Sequence, residues 1–313
     1  EEIMSHTSDE RRVLLFSATM PDDIVKLANT MLRNPAHVTV TPPASVVETI
    51  RQSVLFAEKA EKRTLLASLL RERPESSVLV FSRTKHGADR IARILTKAGI
   101  EGRAIHGDKS QGARERAMND FRAGRCRVLI ATDIAARGID ISELPLVINY
   151  DLPEVPETYV HRIGRTGRAG RDGRSADCIL LYSAKDVRTN QFLINNSEPN
   201  PDLTEDEQEE VRRRDRERLK QMTFYCTTHK CLRKFILEYF GDKGPERCEK
   251  CSNCLSNHEN TDITVDAQKI MSCVARTGQR YGKKVICDVL RGSKNERLIS
   301  AGLSRQSTYG IMA

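Results

Sequence analysis

Short apolar runs alternate with segments of helical periodicity through the middle of the chain. Runs such as Val78 to Phe81 and Val128 to Ala131 are continuously apolar, which predicts strands buried on both faces. The stretches Lys62 to Arg71 and Gly87 to Ala98 carry apolar residues at helical spacing. Strands that alternate with amphipathic helices predict an α/β domain over residues 48–185, with a parallel sheet covered on both faces. The predicted strands are Val54–Phe56, Val78–Phe81, Ala104–Ile105, Val128–Ala131, Leu146–Asn149 and Cys178–Tyr182.

The chain departs from this alternation on either side of the α/β domain. Before it, RRVLLF at 11–16 predicts a buried strand, and residues 21–33 predict a helix that starts at a proline. The Pro- and Ser-containing stretch at 42–47 predicts a linker. After it, residues 198–220 are dense in Glu, Asp and Arg and predict a solvated helix with i,i+4 ion pairs. Residues 266–291 then show two helical patterns separated by glycines.

Composition limits the classes of protein to consider. The net charge of +8 favours a polyanionic partner, because basic side chains on phosphates release condensed counterions, although a soluble basic protein without such a partner fits equally well. There is no apolar run long enough for a membrane-spanning helix, so no membrane partner is expected. The first residues do not resemble a signal peptide and do not begin with Met. We therefore expect part of a longer protein. The nucleic-acid partner and the reducing compartment that thiolates for zinc need (below) predict an intracellular location, in a nucleus or a bacterial cytoplasm.

Five of the nine cysteines fall between Cys226 and Cys254, which in a chain without a secretory signal favours metal over disulfides. The spacing C-x16-C-x2-C-x2-C predicts a structural Zn²⁺ site with four thiolates and no open position for catalysis. The alternative is a set of free thiols. Cys226, His229 and His258 compete for the fourth position, but Cys226 is expected on the same helix as Cys231 and pointing elsewhere. The predicted ligands are Cys231, Cys248, Cys251 and Cys254.

Polar motifs follow several predicted strands, where parallel sheets place their ligands. Ser-Ala-Thr follows residues 11–16, and VFSRTK, IHG and ATDIAARGIDI stand at the ends of later strands. The segment HRIGRTGRAG at 161–170 places Arg165 and Arg168 three residues apart, on one face of a helix. Such a pair can neutralise charge on a phosphate chain held by another domain. A bare pair of this kind is usually a basic helix start, and only the accompanying motifs favour the phosphate interpretation.

These motifs resemble those of the DEAD-box RNA helicases, over residues 1 to about 170. The resemblance implies a RecA-like helicase C-terminal domain at 48–185, preceded by the last strand and helix of a first RecA-like lobe at 1–41. Its implied residue roles fall into three groups. Arg165 and Arg168 act on ATP as arginine fingers, with His161 bridging the lobes and Asp140 at the ribose; Ser17 and Thr19 link the ATP state to domain closure; and Arg83, Gly107, Thr132 and Asp133 bind the nucleic acid.

The chain lacks two further motifs of that family. It contains no GxxxxGK[ST] phosphate loop and no Asp-Glu-Ala-Asp run to hold Mg²⁺. We therefore expect ATP and Mg²⁺ to bind only when the first lobe is supplied. The polypeptide alone is not expected to hydrolyse ATP at a helicase-like rate.

From about residue 167 the chain resembles a second family, the RecQ DNA helicases, through GRAGRDG, CILLYSAKDV, CLRKFILEYFGD and CEKCSNC. The resemblance implies a helical zinc-binding domain at 186–260 and a partial winged-helix domain at 261–313 that binds duplex DNA, with its wing hairpin past Ala313. The two families overlap in GRTGRAGRDG. The RecQ register pairs Arg168 with Arg171, but we prefer Arg165 with Arg168 because HRIG and the preceding sheet match the DEAD-box pattern.

Three functions therefore remain open from the sequence. The favoured one is the C-terminal part of an ATP-dependent, RecQ-like 3′→5′ DNA helicase. The alternatives are a DEAD-box RNA helicase and, for the isolated fragment, a non-catalytic nucleic-acid-binding module. DNA is favoured over RNA because the accessory domain usually selects the duplex.

Overall fold

The computed structural model describes residues 6–8, 10–17, 22–38, 50–136, 144–166, 176–201, 203–256 and 262–312. The chain divides into two compact units, Glu1–Ser256 and Asn257–Ala313. The linker predicted at 42–47 lies outside the described residues, as do Thr19, Asp140 and Arg168.

The first unit is built on a six-stranded sheet in which every pair of neighbouring strands is parallel. In chain order the strands are β1 (Ile50–Phe56), β2 (Val78–Phe81), β3 (Gly102–Ile105), β4 (Val128–Ala131), β5 (Leu146–Asn149) and β6 (Ala176–Tyr182). Their order across the sheet is β1-β6-β5-β2-β4-β3, so β2 lies between β5 and β4. The six predicted strands and the parallel arrangement are confirmed.

Helices follow most strands, and several begin at a polar cap. Thr84 accepts a hydrogen bond from the Gly87 N–H at the start of α3, and Ser110 accepts one from Ala113 at the start of α4. The helices of the first unit are α1 (Asp22–Met31), α2 (Lys62–Arg71), α3 (Lys85–Lys97), α4 (Gln111–Arg122), α5 (Asp133–Ala136), α6 (Pro156–Ile163), α7 (Ala184–Asn195), α8 (Glu205–Thr227), α9 (Leu232–Tyr239) and α10 (Ser252–Leu255).

The side chains of alternate residues in the central strands pack into two hydrophobic cores, one on each face of the sheet. Val78 and Val80 pack with α2 and α3, whereas Leu79 and Phe81 face the other core. That second core also contains buried residues of α4, α6, α8 and α9, together with Cys231, Cys251 and Cys254. The cysteine-rich region therefore shares one hydrophobic core with the sheet.

The prediction of a buried strand at 11–16 is wrong. The described residues 11–17 form no strand, and the side chains of Leu14 and Phe16 are 79% and 89% exposed. The physical reason is that a strand exists only beside a hydrogen-bonding partner, and all six strands of the sheet come from Ile50 to Tyr182. The helix predicted after it is present as α1.

Helix α8 differs along its length. A capping box joins Thr204 and Glu207 at its start, and its first half carries ion pairs such as Glu210 with Arg213 and Arg214. Leu219 and Tyr225 in the second half are buried in the core shared with the sheet. Within the stretch predicted as a solvated helix, only Leu219 of α8 is buried, and the helix continues past residue 220 into the core.

The second unit has a small core of its own. It contains α11 (Thr264–Arg276), α12 (Lys283–Leu290) and α13 (Glu296–Ser300), packed around residues that include Cys273, Val289 and Leu298. Gly278 follows α11 with a φ of +68°, a conformation that side chains rarely adopt. Both predicted helices of this region are present on either side of the glycines.

Candidate functional site

Three of the predicted nucleic-acid residues lie at the carboxyl ends of neighbouring strands. Arg83, Gly107 and Thr132 come just after β2, β3 and β4, and these three strands are neighbours. Because the strands are parallel, their carboxyl ends meet at the same edge, as expected for a ligand site in an α/β sheet.

Asp151 shapes the segment that carries Arg83. Its Oδ2 accepts hydrogen bonds from the Arg83 N–H at 2.9 Å and from the Ser82 hydroxyl at 3.1 Å. Gly87, in the first turn of α3, lies close to this segment, and a Cβ there would be 2.5 Å from the Ser82 hydroxyl oxygen. These contacts connect the backbone after β2 to Asp151 and to the start of α3.

Arg162 joins several strand ends, and sequence reasoning missed it. Its guanidinium donates to both carboxylate oxygens of Asp133, at 2.7 and 2.8 Å, and to the Asn149 side-chain oxygen at 3.0 Å. It also lies over the Phe81 ring, 4.9 Å from the ring centroid. The Arg162 side chain is only 3% exposed. The only signal in the sequence was its place between His161 and Arg165, since partners 29 and 13 positions away cannot be inferred from local spacing.

These contacts change the interpretation of Asp133. Its carboxylate, predicted to face nucleic acid, is engaged by Arg162 in a bidentate pair. A carboxylate beside phosphates would also repel them unless it is neutralised in this way. The structure thus gives Asp133 an intramolecular partner, and a direct contact with nucleic acid stays a prediction.

The predicted arginine-finger segment begins directly after α6. His161 is exposed near the end of this helix, and Arg165 is half-buried in the 3-10 turn Gly164–Thr166. Burial lowers the pKa of Arg165 from its ordinary value. Ser17, the described member of the Ser17 and Thr19 pair, is exposed.

The four predicted metal ligands are brought together. The Sγ atoms of Cys231, Cys248, Cys251 and Cys254 all lie within 4.8 Å of one another. Cys231 is the residue before α9, and a loop separates it from Cys226 in α8, so the expectation of a shared helix is wrong. Cys226 is buried in the core and, like His229, is absent from the group. The competitor His258 lies outside the described residues.

Backbone amides support thiolates at this centre. The Cys251 N–H donates to Cys248 Sγ at 3.3 Å, and the Leu232 N–H donates to Cys251 Sγ at 3.4 Å. Burial disfavours the thiolate of Cys254, but hydrogen bonds from the Cys248 N–H and nearby groups outweigh it and lower its pKa to about 7. Burial raises the pKa of Cys231 to about 12. Four clustered sulfur donors match the tetrahedral preference of Zn²⁺ and leave no ligand position for substrate.

Hydrogen bonds connect α8 and α9, on either side of the first zinc ligand, to β1 and α6. The Tyr225 hydroxyl on α8 donates to Gln52 Oε1 on β1 at 2.7 Å and lies 2.6 Å from the Tyr159 hydroxyl on α6. The Tyr239 hydroxyl on α9 donates to Glu157 Oε1 on α6 at 2.8 Å. Both α8 and α9 therefore contact α6, the helix that precedes Arg165.

Three protein-family models match the chain in succession. The helicase conserved C-terminal domain matches residues 61–170, the RecQ zinc-binding model matches 184–255, and the RQC domain matches 257–313.

Curated proteins from two helicase families are similar in sequence to this chain. ATP-dependent DNA helicase RecQ of Bacillus subtilis is 36% identical over 75% of this chain and 38% of its own length. DEAD-box ATP-dependent RNA helicase CshA of Geobacillus kaustophilus is 44% identical over 52% of this chain and 35% of its own length. S. cerevisiae Dbp5 bound to RNA and ADP BeF3 gives a TM-score of 0.53 at 30% identity, over 69% of this chain and 57% of that one.

The fold and these matches define a RecA-like helicase C-terminal domain. The chain continues from it into a RecQ zinc-binding domain and an RQC domain, and the four-cysteine centre is a structural zinc site. The chain spans about two fifths of the length of the curated relatives it matches. No helix among the described residues has the length and apolar character needed to cross a membrane.

Proposed function

We propose that this chain is the C-terminal part of an ATP-dependent, RecQ-like DNA helicase that unwinds duplexes in the 3′→5′ direction. The observation that carries the proposal is the order of its parts. A motor domain is followed by a zinc-binding domain that shares its core and then by an RQC domain. The Bacillus subtilis RecQ match extends over 234 residues, farther than the 163 residues shared with the RNA helicase CshA.

In this proposal the end of α6 acts on ATP bound by a first lobe. Arg165 and Arg168 neutralise the charge that develops on the γ-phosphate, and His161 bridges the lobes. Arg165, which is half-buried, is suited to this role because a planar guanidinium presents several donors that match phosphate oxygens. Asp140 contacts the ribose region, while Ser17 and Thr19 link the ATP state to domain closure. Mg²⁺ would screen the phosphate charge, with ligands supplied by the first lobe.

The strand ends form the proposed track for the nucleic-acid backbone. Arg83, Gly107 and Thr132 supply a cation, an approachable backbone and a hydroxyl at neighbouring strand ends. Asp133 contributes through Arg162, which holds the turn after β4 next to the end of β5. Arg162 lies on α6, so its contacts also link these strand ends to the helix that precedes Arg165.

The structural zinc maintains the position of α9 against the motor domain. It would be held by Cys231, which directly precedes α9, and by the cysteines at 248–254, while the Tyr239 hydroxyl at the other end of α9 donates a hydrogen bond to Glu157 on α6. The zinc has no part in the chemistry, because all four of its ligand positions are filled by protein.

The test is a binding comparison on the purified chain after its zinc content is measured. Forked duplex DNA, single-stranded DNA and single-stranded RNA are titrated over a salt series. We expect about one zinc per chain, tighter binding to the fork, and log affinity that falls linearly with log salt, by about 0.9 per phosphate contacted. Equal affinity for the fork and single-stranded DNA would contradict duplex selection by the C-terminal domains.

A DEAD-box RNA helicase is the second candidate, favoured by the 44% identity to CshA over the motor domain. Binding to RNA alone would support it. Neither candidate is expected to hydrolyse ATP without a first lobe, because the chain has no phosphate loop. ATP hydrolysis that appears only after a first lobe is supplied would separate both helicase candidates from a non-catalytic binding module.

A further inference from the structure

The edge strand β3 borders a groove that the proposed helicase function does not use. The groove has a volume of about 680 Å³ and lies between α3 and α4, which flank β3 on opposite faces of the sheet. Its lining includes the backbone segment Gly102 to Ala104. Gly107 and Thr132, by contrast, follow the ends of their strands and do not line it.

The backbone of β3 has one side without a neighbouring strand. Among the residues that the structure describes, β3 is last in the strand order and pairs only with β4. The Ile105 carbonyl faces β4, because it accepts from the Thr132 N–H at 3.4 Å. Successive residues of a strand direct their backbone groups to opposite sides, so the N–H and C=O of Ala104 face the groove. These groups are placed to pair with another extended chain.

The floor of the groove is made of small side chains. Ala92 on α3, Ala104 on β3 and Ala113 with Ala117 on α4 line it, and no aromatic residue is among its lining residues. Nucleic-acid strands are typically held by stacking their bases on aromatic rings, which this groove does not offer. Small side chains instead leave room for the alternating side chains of an added strand.

Charge at the rim defines which peptide would fit. The carboxylate of Asp89 is paired with Lys109 at 2.9 Å, and that of Asp120 with Arg125 at 2.9 Å. Arg93 and Arg116 also line the groove and are exposed, and among the described residues neither has a carboxylate within ion-pair distance. The rim therefore presents two cations that are not neutralised, one on each flanking helix.

We propose that this groove binds an extended acidic segment of a partner protein, which adds to the sheet as a strand beside β3. Backbone hydrogen bonds to Ala104 would provide affinity, and carboxylates placed near Arg93 and Arg116 would provide selectivity. Because β3 has four residues, the segment in contact would be short, about 13 Å long. The short edge and its basic rim also disfavour pairing with a second copy of the same edge.

The probe is a fluorescein-labelled peptide of ten residues that alternates glutamate and valine, titrated into the full chain. We expect the paired variant Arg93→Glu with Arg116→Glu to weaken binding at least about tenfold, through like-charge repulsion at the rim. The matched control is Arg90→Glu with Lys97→Glu, which changes two exposed residues of α3 that do not line the groove and should leave binding unchanged. Unaltered zinc content and thermal unfolding would establish that both variants are folded.

A second peptide separates strand addition from simple charge attraction. The same sequence, N-methylated at every internal residue, keeps its carboxylates but cannot donate backbone hydrogen bonds, so we expect its binding to be lost. Equal binding of this peptide would overturn the proposal, as would absence of binding by the unmethylated peptide. Competition by a 20-residue oligothymidylate, with its own binding lost in the Arg93/Arg116 variant, would identify the groove as a nucleic-acid track and would also overturn it. None of these outcomes depends on the preference for forked DNA that tests the helicase proposal.

Discussion

At the scale of single residues, Arg162 organises the strand ends. A buried guanidinium is tolerated only when its charge is balanced and its N–H donors have acceptors. Asp133 balances the charge of Arg162, and Asp133, Asn149 and the Asp151 carbonyl accept its hydrogen bonds. The planar fork of Arg contacts Asp133 and Asn149 at once, which the single ammonium of Lys cannot reproduce. Arg162 therefore connects the turn after β4 with the end of β5.

We predict that Arg162→Lys lowers the free energy of unfolding by about 2–3 kcal/mol, because it leaves buried acceptors without donors. Urea unfolding followed by circular dichroism measures the change. The control is Arg125→Lys, since Arg125 pairs with Asp120 at the surface and should lose less than about 0.5 kcal/mol. Equal losses in the two variants would show that the Arg162 contacts contribute no more than a surface pair.

At the scale of elements, α8 joins two environments. Its first half is solvated and carries ion pairs, and its second half enters the core beside β1 and α6. The charge density of residues 198–220 predicted the first half. The second half could not be predicted, because the pairing of Tyr225 with Gln52 spans 173 positions and depends on where the chain returns to the sheet.

We predict that Tyr225→Phe destabilises the first unit by about 1–2 kcal/mol. The change removes a buried hydroxyl that donates to Gln52 and contacts Tyr159, while the ring and its packing are kept. Thermal unfolding measures the loss. Tyr281→Phe, at a partly exposed position in the second unit, should leave the transition of the first unit unchanged, and an equal shift in both variants would contradict the assignment.

At the scale of the whole molecule, the zinc centre belongs to the first unit and the three C-terminal helices have a separate core. Since Cys231, Cys251 and Cys254 share a core with the sheet, loss of zinc should destabilise β1 and α6 as well as α9. The helices α11 and α12 should not respond, because their core includes none of the four ligands.

We predict that chelation of zinc increases amide hydrogen exchange about tenfold or more in α9 and in the second half of α8, with a smaller increase in β1 and α6. Hydrogen exchange read by mass spectrometry locates these changes. Exchange in α11 and α12 serves as the internal reference. An increase of the same size in α11 and α12 would contradict the independence of the two cores.

The sequence by itself determined the elements of the sheet domain and the ligands of the zinc centre. Four-residue apolar runs and helical periodicity are local signals, and C-x2-C spacing places thiolates within reach of one ion, so both can be read along the chain. The segment 11–16 shows the limit of this reasoning. Its apolar pattern is that of a strand, but Leu14 and Phe16 are exposed, and the strands of the described sheet all come from Ile50 to Tyr182.

Tertiary structure alone decided which distant residues meet. The order of the strands in the sheet brings Arg83, Gly107 and Thr132 together at the carboxyl ends of neighbouring strands. The same assembly pairs Arg162 with Asp133 and forms the basic groove beside β3. The physical reason is that these contacts join positions far apart in sequence, and their energy is gained only when the sheet has assembled. Local patterns specify each element, whereas the partners of a buried charge or an open strand edge are set by the fold.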